Sequence, residues 1–195
     1  MKRTATLLTA LAGLAAAALL AGCSGKHADD PSNGNQNRFV AGDGTHTILV
    51  PSKRHTAPNI TGTTLDGSHF KLSDLRGQVV VMNFWGSWCA PCRAEADDLE
   101  RVYTKTQPDG VRFDGVNVRD EKADAQAYEH NHGLTYPSLY DPDGRVAMDF
   151  RQLPPNSIPA TVIIDRQGRV AALYRKGLVD SELQPAVSRV AAERS

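Results

Sequence analysis

Cys89 and Cys92, with Ala90 and Pro91 between them, are the residues whose type and spacing most directly permit chemistry in this chain. Such a thiol pair can staple a loop, hold half of a zinc site, or cycle between dithiol and disulfide. The sequence holds 3 cysteines and no second pair, so a four-thiolate zinc site is not expected. A static staple across so short a loop contributes only about 2 kcal/mol on the chain-entropy account, a weak reason to keep it. Cycling uses both residues: one thiolate attacks a disulfide, a mixed disulfide forms, and the second thiol resolves it.

The surrounding sequence places the pair where that cycle can run. Residues 78–84 form an apolar run expected as a buried strand, and a helix is expected from the cysteines to about Thr106. Cys89 then falls at a helix entrance, where free N–H groups and the macrodipole favour an anion. Pro91 suits the first turn, which does not need its N–H. Cys89 is expected at the exposed entrance and Cys92 one turn inside, so Cys89 attacks and Cys92 resolves. Cys92, Glu95, Leu99, Val102 and Tyr103 share one helical face, which turns Glu95 partly inward. A half-buried carboxylate there could move a proton to or from a cysteine. The plainer role for Glu95 is to complement the helix N-terminus.

The remaining pattern gives the framework. A hairpin is expected over residues 60–72, a strand over 111–118, a helix over 123–132 closed by Gly133, and a short strand over 137–140. A helical turn over 146–150, a hairpin over 160–174 and a helix capped by Asp180 complete it. This order implies an α/β architecture with a central mixed sheet flanked by helices. Asp120 and Glu121, just past the second strand, read as a solvated loop, with a place near the site as the other reading. His130 and His132 lie at a helix end, where positive charge is favourable and no metal is needed. Hydrophobic residues make up 41% of the chain and its formal net charge is zero, which suggests no nucleic-acid partner.

The first residues read as an export signal: Lys2 and Arg3, then an apolar run from Leu7 to Ala21. It ends in Leu20-Ala21-Gly22-Cys23, which resembles the bacterial lipobox. The resemblance implies a signal peptide over 1–22, lipid attachment at Cys23, and a chain anchored at the extracytoplasmic side of the cell membrane. Acyl chains in pairs suffice for stable anchoring. Residues 23–56 are expected to be the lipidated cysteine and a flexible tether, with one short strand near Ile48-Leu49-Val50, and the domain to span 57–195. A coil of about 30 residues spans roughly 30 Å.

Trp88-Cys89-Ala90-Pro91-Cys92 after a buried strand resembles the thioredoxin superfamily. The finer match is to the TlpA/ResA-like branch with a redoxin (AhpC/TSA-type) domain. It rests on Asn83-Phe84-Trp85, Trp88 to Cys92 with Arg93 and Glu95, Ala57-Pro58, Leu75-Arg76-Gly77, and Ile158-Pro159-Ala160-Thr161 with Ile164-Asp165 and Gly168. The resemblance implies a thioredoxin-like fold with an N-terminal β-hairpin extension and a redox-active Cys89–Cys92 disulfide. It implies that Pro159 is a cis-proline, that the Ile158 backbone pairs with the substrate chain, and that Trp88, Ala90 and Pro91 complete the substrate-binding surface. It makes Glu95 the active-site acid, since Asn83 stands where cytoplasmic thioredoxins keep a buried Asp. Asp97 departs from a usual helix-kinking Pro, and Ala160 from a usual Thr. Expected partners are protein disulfides, apocytochrome c among them, and a membrane electron-transfer protein that recycles the pair; a monomer without cofactor or metal is expected. The alternatives are a Dsb-like oxidase, a peroxiredoxin-like peroxidase, and a copper-delivery module. A peroxidase needs Pro and Thr where Met82 and Gly86 stand, and a copper module needs a His that the segment 157–160 lacks.

Overall fold

The computed structural model describes residues 40–41, 44–150, 153–154 and 157–193. Cys23, the signal over 1–22 and most of the expected tether lie outside the described residues.

The sheet is built outward from a strand of Val, Val, Val, Met, Asn, Phe and Trp. This strand, β5 (Val79–Trp85), follows β1 (Val40–Ala41), β2 (His46–Ile48), β3 (Thr61–Thr63) and β4 (His69–Lys71). All seven β5 side chains are buried, as a central strand covered on both faces requires. Helix α1 (Ala90–Thr106) leads to β6 (Val111–Val118), and α2 (Lys122–Asn131) leads to β7 (Ser138–Asp141). The chain continues through α3 (Arg145–Asp149), β8 (Ser157–Ile158), β9 (Ala160–Ile164), β10 (Val170–Tyr174) and α4 (Asp180–Ala191). The six-stranded sheet has the order β2-β10-β9-β5-β6-β7. β5, β6 and β7 run parallel, whereas β9 is antiparallel to β5, β10 to β9 and β2 to β10. This is the mixed sheet expected from the element order, and β3–β4 is the expected hairpin extension.

The two-residue period of β5 divides the interior. Val79 and Val81 pack with Leu99, Val102, Phe113 and Val187 under α1 and α4. Met82 and Phe84 pack with Ile60, Phe70, Val116 and Phe150 on the hairpin side. The register sets Trp85 opposite Asn117 and Asn117 opposite Tyr140, so the parallel strands end together, and the loop before α1 leaves from that end of β5.

Two expectations need correction. Residues 44–56 belong to the domain rather than to a tether: β2 pairs with β10, and the Arg54 guanidinium bonds Asp165 at 3.1 Å. The β2 side chains are all exposed, so backbone pairing rather than apolar burial holds the strand. Asp180 is the first residue of α4 rather than its cap. Its N–H donates to the Asp98 carboxylate of α1 at 3.1 Å, and its own carboxylate meets Arg101 at 3.2 Å.

Candidate active site

Between Trp85 and Ala90 the chain turns, and the Cys89 N–H bonds the Gly86 carbonyl at 3.0 Å. Cys89 is the N-cap of α1, with an extended backbone, and its Sγ accepts the Cys92 N–H at 3.2 Å. The Cα atoms of Cys89 and Cys92 are 5.3 Å apart and their sulfurs form a disulfide. An N–H aimed at Sγ of residue 89 stabilises negative charge there when the bond is reduced. The expected exposure of Cys89 is not found: Cys89 is 2% exposed and Cys92 1%. A cap side chain that folds back over the first turn carries its sulfur inward. Exposure at the entrance belongs instead to Trp88, Ala90 and Pro91.

Glu95 is 2% exposed and lies one helical turn beyond Cys92. One carboxyl oxygen accepts the Asn83 amide at 2.9 Å, and the other accepts the Leu178 N–H at 2.9 Å. Burial pushes its pKa up to about 7, against the pull of those two hydrogen bonds, and Asp98 raises it further. Such a group exchanges a proton near neutrality. Its partners lie on β5 and in the loop before α4, so the carboxyl does not serve the N–H groups of its own helix.

Asn83 also donates to Thr161 Oγ1 at 3.2 Å, tying α1 and β5 to β9. The register sets Ala160 opposite Phe84, so Pro159 lies beside the end of β5 from which the cysteine loop leaves. The Ile158–Pro159 peptide is cis, as the resemblance implied, and both residues are buried. β8 pairs in parallel with β1, with Val40 opposite Ser157 and Ala41 opposite Ile158. The edge expected to receive a substrate backbone thus carries a stretch of the protein's own chain.

Sequence reasoning missed one support of the pair and left another open. The Tyr128 hydroxyl on α2 donates to the Cys92 carbonyl at 3.0 Å, and its ring stacks on Trp85 at 4.3 Å. The Trp85 indole in turn donates to Ser138 Oγ at 3.2 Å. Gly115 leaves room for this contact, since a Cβ there would stand 2.1 Å from Ser138 Oγ and 2.7 Å from the indole nitrogen. A lone Tyr on a helix reads as core, and no spacing signal connects it to Cys92. For Asp120 the second of its two readings holds, since it is 9% exposed rather than solvated and stands beside the loop that leads to Cys89. Its carboxylate accepts both the backbone N–H and the hydroxyl of Ser87, at 2.6 and 2.7 Å.

The sequence profile of the AhpC/TSA family matches residues 54–173. The thiol-disulfide oxidoreductase ResA of Geobacillus thermodenitrificans is 35% identical over 129 residues, which is 66% of this chain and 72% of that protein. A secreted thiol-disulfide isomerase from Corynebacterium glutamicum superposes with a TM-score of 0.74 at 34% identity, covering 80% of this chain and 97% of the other. A DsbF homologue from Corynebacterium diphtheriae gives a TM-score of 0.71, also at 34% identity, over 77% and 96% of the two chains.

Proposed function

Because the chain belongs to the AhpC/TSA family and is a thiol–disulfide oxidoreductase of the ResA type, we propose that it reduces disulfides of selected secreted or membrane proteins from an anchored position outside the cytoplasm. The carrying observation is the Cys89–Cys92 disulfide at the α1 entrance, with the Cys92 N–H on Cys89 Sγ. In the reduced protein the Cys89 thiolate attacks one sulfur of the substrate disulfide. The other substrate sulfur leaves as a thiolate and is protonated. Cys92 gives its proton to Glu95 and attacks Cys89 Sγ, which frees the second substrate thiol and closes the Cys89–Cys92 bond. Two electrons pass to the substrate, and a membrane dithiol donor returns them. Trp88, Ala90 and Pro91 form the contact surface, and the Ile158 and Pro159 backbone aligns the substrate chain when it takes the place of β1. Apocytochrome c is one substrate that fits. The lipid on Cys23 supplies the anchor, and the protein works as a monomer without a cofactor.

The direction of electron flow follows from charge. Strong oxidants stabilise their thiolate heavily. Here the helix entrance favours a thiolate, but above pH 7 the buried Glu95 carboxylate opposes one at Cys92. That repulsion favours the disulfide and makes the dithiol a donor, so the potential is expected near the about −270 mV of thioredoxin. Equilibration against dithiothreitol tests this, and a value above about −180 mV would install the oxidase reading instead. The peroxidase reading lacks its hydroxyl: Gly86 stands three residues before Cys89, and the Ser87 hydroxyl is bonded to Asp120. The cycle itself is tested by Cys92→Ser, which is expected to accumulate mixed disulfides with protein substrates, while Cys89→Ser forms none. Trapping by Cys89→Ser and not by Cys92→Ser would reverse the two roles.

A further inference from the structure

Gly86, Ser87 and Trp88 precede the nucleophile and belong to no helix or strand, yet Ser87 and Trp88 are both held from the corner between β6 and α2. Asp120 holds Ser87 through two hydrogen bonds, at 2.6 Å to its N–H and 2.7 Å to its hydroxyl. The Asn117 amide donates to the same carboxylate at 2.9 Å, and the Tyr140 hydroxyl braces the Asp120 carbonyl at 3.1 Å. Arg119 adopts φ +53, a left-handed backbone that is unfavourable for a non-glycine residue. Its carbonyl receives the Trp88 indole N–H at 2.9 Å. A Cβ at residue 86 would lie 2.8 Å from that indole nitrogen, so Gly86 lets the ring fold back. From the helix side, Arg93 donates to the Ser87 carbonyl at 2.8 Å.

We propose that Asp120 is a positioning residue for Cys89: through Ser87 it clamps the loop so that the Cys89 sulfur stays over the Cys92 N–H and the Trp88 ring stays beside it. The proposal rests on Cys89 being the attacking thiol. Hydrogen bonds to a charged carboxylate in a half-buried pair of this kind are strong and geometrically exacting. Displacement of a nucleophile by about 1 Å can cost on the order of 100-fold in rate. Other charged and titratable groups stand near the loop: Arg119, Glu121 and Asp124 line the pocket at Ser87 and Trp88, Arg93 bonds the Ser87 carbonyl, and Tyr128 and Glu95 lie on the Cys92 side. If Asp120 acted only as one more charge among these, its removal would favour the Cys89 thiolate. If it acts by position, its removal takes the sulfur off the N–H and disfavours the thiolate. The two roles differ in sign.

The test is the pH profile of Cys89 alkylation by iodoacetamide in the reduced full chain, read on the Cys89 peptide by mass spectrometry, together with the rate of exchange with a peptide disulfide. Asp120→Asn removes the charge and one acceptor, whereas Ser87→Ala keeps the charge and loses only the hydroxyl bond. Both are expected to move the alkylation midpoint to higher pH, and Asp120→Asn to slow exchange by about ten-fold. A midpoint moved to lower pH by Asp120→Asn overturns the proposal in favour of a charge effect. Unmoved midpoints in both variants overturn it in favour of a corner that only supports the fold. Should Asp120→Asn fail to fold, Ser87→Ala alone decides. Failure of the wild-type chain to exchange disulfides would instead overturn the functional reading.

Discussion

Glu95 carries a cost that pH exposes. Its carboxyl has an ordinary pKa of 4.5 and is pushed up to about 7 in the folded chain by burial. Between those values the folded protein keeps a proton that the unfolded chain gives up, so stability falls as pH rises through that window. Below it both states are protonated and the group costs nothing. Above it both are ionised and the cost is complete, about 3 kcal/mol. Asp114, which burial raises to about 6 against the pull of Arg112, adds a slope of the same sign. Glu95→Gln is expected to remove the larger part of the slope. A glutamine can keep Leu178 N–H on its oxygen and turn its amide to Asn83, whose own amide reverses to accept it. Urea unfolding of oxidised wild type and variant at pH 5 and pH 8 checks this, since the joined cysteines have no proton to exchange. An equal loss of stability in both proteins would mean that Glu95 is not protonated in the fold. The inward turn of Glu95 was legible from its spacing to Cys92, but its partner was not. Leu178 is 83 residues away in sequence, and only the packing of the loop before α4 brings its N–H there. Asp120 stayed between two readings for the same reason: a polar triplet after a strand looks solvated until Ser87, 33 residues earlier, folds onto it.

At the scale of elements, what burial dictates was readable and what backbone pairing dictates was not. The apolar run of β5, the i, i+3, i+4 face of α1 and the β9–β10 hairpin announce themselves because each must hide side chains. β2 hides none and exists because β10 offers an unpaired edge. The capping of α4 by Asp98 was equally silent, since the capping side chain sits on another helix. Pairing also sets how the chain enters the domain. The Gly44 N–H bonds the Arg175 carbonyl at 3.1 Å, at the end of β10 that leads to Leu178 and Glu95. Val40 and Ala41 pair with β8 as β1. Backbone groups of β8 that pair with Val40 and Ala41 are not free to pair with a substrate chain. A protein begun at Gly44 is therefore expected to show a lower KM for an extended peptide disulfide, with its reaction with dithiothreitol unchanged. An unchanged peptide KM would mean that substrates do not use this edge.

At the scale of the whole molecule, a largely buried ion-pair cluster joins the beginning of the described domain to its end. Arg54 is nearly inaccessible and bonds both Asp165, after β9, and Glu193, after α4. Asp165 is 2% exposed, and Arg169 donates to it from both backbone and side chain at 2.9 Å. Burial alone would raise the Asp165 pKa, but the hydrogen bonds from Arg169 and Arg54 hold it below the ordinary carboxylate value. Its charge is therefore kept inside the fold on condition that its cations stay. The boundary suggested by the sequence, at Ala57, would cut the chain just after Arg54. A protein begun there keeps every catalytic residue and the whole central pairing of β5, yet it loses one of the two cations on Asp165. It also leaves Glu193 without Arg54, removes β2 from the edge of β10, and takes His46 off the face of Tyr174, where the rings stack at 5.7 Å. Removing one partner of a buried pair costs about 3–5 kcal/mol when no other cation remains. Because Arg169 stays, the ion-pair loss alone should fall below that range, and the lost strand adds to it. The protein begun at Gly44 retains all of these contacts and is expected to unfold at the same urea concentration as the full chain. The protein begun at Ala57 should unfold at a clearly lower one, and Arg54→Ala in the full chain should reproduce part of that drop. If all four proteins share one midpoint, the segment from Gly44 to Thr56 lies on the domain without stabilising it.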